Sequence, residues 1–151
     1  MTRPLRNGPG GRYPPLMQRR AGPKSLVLIL ARDLASRLAT PVFLVDAEGT
    51  LVYFNEAAEA VLGRTFAESG EMQAQEWADA FSPTDERGAA IPLEGLPLGI
   101  ALARRIPSHR RFSIRGADDA VRTLSVTALP LTTHLDELDG AIALFWEEPA
   151  G

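Results

Sequence analysis

Two short apolar runs, Val42–Asp46 and Leu51–Phe54, lie only four residues apart, and this spacing constrains the fold more than any other feature of the chain. A connection as short as Ala47-Glu48-Gly49-Thr50, with a glycine free to take positive φ, joins antiparallel neighbours. Residues 42–54 are therefore predicted as a hairpin. Both runs are apolar on successive residues, which predicts a sheet covered on both faces. Asn55 follows at once. Its side chain suits the N-cap of a helix running to Leu62, Glu56 suits the first turn, and Gly63 suits the left-handed residue that ends it.

Upstream, residues 1–23 are rich in glycine, proline and arginine and too poor in apolar surface to offset ordering, so they are predicted as a disordered basic tail. Residues 24–40 hold a flanking helix, Ser25 to Ala39, with Ser25 as N-cap and Thr40-Pro41 as the stop. Val27, Leu30, Leu34 and Leu38 recur at helical spacing beside Ala31 and Ala35, while Leu26, Leu28 and Ile29 widen the apolar surface. A helix that is apolar on more than one side has more than one side to bury. Leu26, Val27, Leu30, Leu34 and Leu38 are accordingly a candidate dimer interface; burial in an ordinary core is the alternative.

Residues 41–148 form the main domain. Its middle is predicted to hold a helix at Ala74–Phe81, a polar loop at Ser82–Pro92 and a helix from Glu94 to Arg105 with Pro97 in its first turn. Strands at Arg110–Arg115, Val121–Leu129 and Ala141–Trp146 close it, with Leu131–Asp139 as a polar connection. The predicted class is α+β.

The 151 residues include no cysteine, which removes disulfides, thiolate metal sites, iron–sulfur clusters and cysteine nucleophiles together. Lys24 is the only lysine; such heavy use of arginine points to a GC-rich genome and says nothing about mechanism. The net charge of −3 is unevenly spread, with six basic and no acidic residues in 1–24 against 10 basic and 19 acidic residues beyond. An acidic body repels nucleic acid and anionic membrane, so neither is an expected partner. No apolar segment approaches the ~20 residues of a membrane span and no signal-peptide pattern is present, so a cytoplasmic location is expected.

Patterns that carry chemistry are missing. His109 precedes Arg110 and Arg111 at the start of a strand and His134 lies in a polar loop, neither with an acid at ligand spacing. Gly8-Pro9-Gly10-Gly11 lacks the strand and the Lys-Ser/Thr of a phosphate loop, and no Gly-x-Ser-x-Gly occurs. Asp85-Glu86 and Asp118-Asp119 fall in predicted turns. No catalytic or metal-binding residue is assigned and no enzyme is expected; a small α+β enzyme is the competing class, and it would need a buried His–Asp pair.

The run VFLVDAEGTLVYFNEAAEAVLG, from Val42 to Gly63, resembles the start of a PAS domain. The loop DERGAAIPLEGLPLGIALA, the strands RFSIR and RTLSVTALPL and the closing GAIALFW are similar to the family's later segments, so the likeness covers about Leu38 to Glu148. The resemblance implies a five-stranded antiparallel sheet with helices on one face and an N-terminal flanking helix through which many members dimerise. It also implies a role in sensing and protein–protein association, and in many members a small pocket between sheet and helices. Alternation and that architecture together nominate Phe43, Tyr53, Trp77, Phe81, Leu98, Leu102, Phe112, Leu124 and Val126 as pocket lining, or simply as core.

The flavin-binding light sensors of the family need a cysteine, which this chain lacks, and its haem-binding members commonly use a histidine on the helix corresponding to Glu94–Arg105, which has none. Neither flavin nor haem is therefore expected. A ligand, if bound, would be a fatty acid or another small hydrophobic molecule, with Arg110 or Arg122 meeting its carboxylate. No kinase, cyclase or DNA-binding segment follows residue 148, so the chain reads as a stand-alone module, a homodimer signalling to a separate protein partner. The alternative is a closed-core interaction module without ligand.

Overall fold

The computed structural model describes residues 25–133 and 135–149. The predicted basic tail, Lys24 and His134 lie outside the described residues. The first element is helix α1 (Leu26–Ala35), capped by the Ser25 hydroxyl, which accepts from the Leu28 N–H at 3.2 Å. It stops four residues short of its predicted end. The Ser36 hydroxyl donates to the Asp33 carbonyl at 2.7 Å, and the Ala35 carbonyl accepts from the Leu38 N–H in a tight turn at 3.1 Å and from the Asn55 side chain at 2.9 Å.

Strands β1 (Val42–Asp46) and β2 (Leu51–Phe54) form the predicted hairpin. Leu44 faces Tyr53 and Val45 faces Leu51, so Val52 is an extra residue in the ladder. This bulge lets Leu51 and Phe54 both reach the core although they are three residues apart. Asn55 then caps α2 (Glu56–Leu62), which Gly63 ends at φ 76°. Two short helices follow, α3 (Phe66–Ser69) and α4 (Ala74–Ala80). The predicted helix from Glu94 is split into a 3₁₀ turn (Leu93–Gly95) and α5 (Pro97–Arg104). Leu96 stands between them in extended conformation, as its place before proline requires.

The last strands, β3 (Ser108–Arg115), β4 (Val121–Thr132) and β5 (Leu138–Glu147), are longer than predicted. Pro130 marked an end in the sequence, yet it lies within β4. There the β3 ladder has already stopped, at Ser108 opposite Ala128, so no donor is missed on that side.

The five strands are antiparallel in the order β2-β1-β5-β4-β3. Helices α2 to α5 cover one face, over Phe43, Val45, Leu124, Val126, Ala143 and Phe145. The other face carries Val42 and Leu44, both fully buried, and α1 lies across β1, β5 and β4 with Ala35 turned inward. Successive apolar residues in β1 are thus explained by cover on both sides. No helix among the described residues is long and apolar enough to cross a membrane.

Candidate functional site

Between the sheet and helices α2, α4 and α5 lies a cavity of about 70 Å³ with entirely apolar walls. The hairpin contributes Phe43, whose ring meets Trp77 edge-on at 5.2 Å and Phe81 at 6.3 Å. Helix α4 and its end supply Trp77, Ala78 and Phe81, and Leu96 and Leu98 come from the start of α5. Strands β3, β4 and β5 form the floor through Phe112, Ile114, Leu124, Val126, Ala143 and Phe145. The one polar group on this aromatic wall is already used: the Trp77 indole N–H donates to the Gly49 carbonyl at 2.8 Å.

Seven of the nine nominated residues meet at the cavity: Phe43, Trp77, Phe81, Leu98, Phe112, Leu124 and Val126. Tyr53 and Leu102 do not. The Val52 bulge turns Tyr53 towards α1, where the Arg32 guanidinium lies 4.5 Å over its ring. Leu102 is half-buried on the far side of α5, near Gly49 and Ala74. Leu62, Ala78, Pro83, Leu96, Ile114, Ala143 and Phe145 complete the lining without being among the residues that the sequence nominates. In the all-apolar run Ala141–Trp146 there was no polar partner to show which residues face the core.

The charged candidates lie elsewhere. Arg122 is held by Asp118, with contacts of 2.8 and 3.1 Å, and Arg110 donates to the Gly95 carbonyl at 2.9 Å. The hydrogen bonds from Arg122 and the Ala120 N–H lower the Asp118 carboxyl to about pH 2. His109 is on the opposite face of the sheet, its ring nitrogens 2.7 Å from the Thr127 hydroxyl and 3.3 Å from that of Ser125. Among the described residues no three His, Cys, Asp or Glu side chains are grouped to hold a metal ion.

On the outer side, four apolar residues of α1 remain uncovered: Leu26 is 67% exposed, Ile29 50%, Leu30 59% and Leu34 56%. Of the other nominated interface residues, Val27 and Leu38 are half-buried. Ile29, which widened the apolar surface in the sequence, belongs to the stripe itself.

A family model described as the PAS fold matches residues 31–145. This chain belongs to the PAS family. Solved structures agree on the fold of this PAS domain. The PAS domain of BvgS from Bordetella pertussis superposes with a TM-score of 0.55 at 18% identity, over 82% of this chain and 86% of that one. The Rhodobacter sphaeroides LOV protein gives a TM-score of 0.65 at 16% identity, over 83% of this chain and 69% of that one. The PAS domain of the fruit-fly ELK potassium channel gives 0.63 at 11% identity, over 82% and 98%. No curated protein matches the chain. PAS domains are in general sensory or regulatory modules, and the fold places this chain among them.

Proposed function

We propose that this PAS domain is a cytoplasmic, non-catalytic signalling module that works by association, as a homodimer through α1 and with a separate protein partner. The observation that carries this reading is the stripe Leu26, Ile29, Leu30 and Leu34, four large apolar side chains at least half exposed on one face of one helix. Isolated exposed apolar residues are ordinary, whereas a contiguous stripe on an outer helix marks an interaction surface. Light scattering on the full chain tests it. The expected mass is that of a dimer, falling by half for Leu30→Glu combined with Leu34→Glu, with helicity unchanged. An unchanged mass in the double variant overturns the reading.

The same module is proposed to work without haem or flavin. An engineered cavity of about 150 Å³ holds a benzene, and the 70 Å³ here leaves room for less unless the helices part. That size favours the closed-core form of the reading, with at most a small, neutral apolar ligand. The wall offers no partner for a carboxylate, since Arg110 and Arg122 are engaged outside it.

A further inference from the structure

Strand β3 is an edge of the sheet, and its outer side is only half paired. In an antiparallel ladder the N–H and C=O of one residue point the same way, and successive residues turn to opposite sides. Ser113 turns both groups away from β4: its N–H donates to the Thr84 carbonyl at 2.9 Å, and its carbonyl accepts from the Thr84 N–H at 2.8 Å. The Arg115 N–H likewise donates outward, to the Phe81 carbonyl at 2.9 Å. The register with β4 runs without a shift from Ser108 to Arg115, so His109 and Arg111 also direct their main-chain groups outward. Among the described residues nothing bonds them there. The chain thus begins to add a strand to this edge at Thr84 and then leaves it. Asp85 Oδ1 accepts from the N–H groups of Arg87 and Ala89, at 2.9 and 3.0 Å, and folds the segment into a tight turn of its own.

The charge around the open stretch is of one sign. Arg104, Arg105, Arg110, Arg111 and Arg115 fall between residues 95 and 117, where there is no acid, although the body as a whole is acidic. Arg105 and Arg110 donate to the carbonyls of Asp136 and Gly95, which gives them hydrogen bonds but no counter-charge. The Arg111 side chain is 61% exposed and meets only Glu148, at 4.0 Å. Basic side chains on an edge strand keep identical edges apart. Two copies of β3 side by side would set His109, Arg110 and Arg111 against themselves, and like charges directly opposite destabilise a ladder. The same charges favour an incoming strand of opposite sign.

We propose that the free edge of β3 at His109–Arg111 takes an extended acidic segment of a separate protein as an added strand. The proposal rests on the reading of this domain as one that works by association, and it names the chemistry of the partner. His109 and Arg111 each supply one main-chain donor and one acceptor, which fix the incoming strand in line with Thr84. Side chains of that strand alternate between the two faces of the sheet. Acidic residues at every second position therefore lie on the outer face beside Arg111 and His109.

The probe is a blocked peptide of alternating threonine and glutamate, titrated into the isotope-labelled full chain. Amide exchange at His109 and Arg111 is expected to slow at least about tenfold at saturation, with the other strands unchanged. Two further peptides carry N-methyl groups on one or the other alternate set of residues and keep the same charge. An added strand uses one of its sides only, so one of the two is expected to bind and the other to fail. Arg111→Glu is expected to weaken binding at least about tenfold, its own amide spectrum reporting whether it is folded. Unprotected amides at His109 and Arg111, equal binding of both N-methylated peptides, or undiminished binding to Arg111→Glu overturns the proposal. The Leu30→Glu, Leu34→Glu variant is expected to bind the peptide as the parent chain does, so the edge and the α1 dimer succeed or fail separately. Loss of binding in that variant would place the peptide on α1 and overturn the proposal as well.

Discussion

Asn55 is 1% exposed and its side chain connects three parts of the molecule. Its Oδ1 accepts from the N–H groups of Val42 and Ala58, at 3.0 Å each, fixing the start of β1 and capping α2. Its Nδ2 donates to the carbonyls of Ala35 and Thr40, at 2.9 Å each, fastening the end of α1. The two halves of the amide therefore hold different elements, and substitution can separate them. Asn55→Asp keeps the acceptor and loses the donors; its expected effect is faster hydrogen exchange through residues 26–35 with α2 still protected. Asn55→Ala loses both and strands buried groups, at an expected cost of roughly 2–4 kcal/mol in urea unfolding. Equal exchange in α1 and α2 for the Asp variant would count against this division of labour.

Among the elements, the β1–β2 turn shows how a charge can oppose the structure it helps to build. Asp46 Oδ1 accepts from the N–H groups of Glu48 and Thr50 at 3.0 Å each. Burial nonetheless raises its pKa above the usual 3.8, with the neighbouring acids Glu48 and Glu71 adding to the effect. The folded chain thus holds this proton to higher pH than the unfolded chain does. Stability from this group is greatest at acid pH and falls as pH rises from 3.8 through the raised folded value. Asp46→Asn keeps the acceptor and is expected to remove that slope. Asp46→Ala loses both turn bonds and should cost about 1–2 kcal/mol. Thermal melts from pH 3 to 7, with Asn and Ala variants giving the same curve, would sink the argument.

The hairpin, both strand boundaries in it, and the capped α2 were legible because each rests on local chemistry: a glycine turn, an asparagine, a terminating glycine. What escaped was set by neighbours. Alternation puts Tyr53 on the core side because it cannot see a bulge at Val52. Pro130 reads as the end of β4 because the sequence does not say where β3 stops. Helix α3 did leave a signal: Thr65 and Glu68 form a capping box, with bonds of 3.1 and 3.0 Å. The break at Leu96 was equally open to reading, since it precedes Pro97.

Across the whole molecule, the sheet divides two kinds of surface. In β4 and β5 the residues facing the cavity, Val126, Phe145 and Ala143, alternate with Thr127, Trp146 and Leu144 on the outer side. Any displacement of these strands would therefore be felt by the cavity and by the face that carries α1. The cavity also has a mechanical consequence. Empty space inside a protein is lost on unfolding, so hydrostatic pressure favours the unfolded chain in proportion to it. The 70 Å³ of cavity space amounts to on the order of 40 mL per mole, and the volume lost on unfolding scales with such space without equalling it. Ala143→Val, which places methyl groups against that space, is expected to move the pressure midpoint upward, while the urea midpoint changes little. Equal pressure midpoints would mean that the space is not there to be compressed. This domain should yield to squeezing sooner than its resistance to heat suggests.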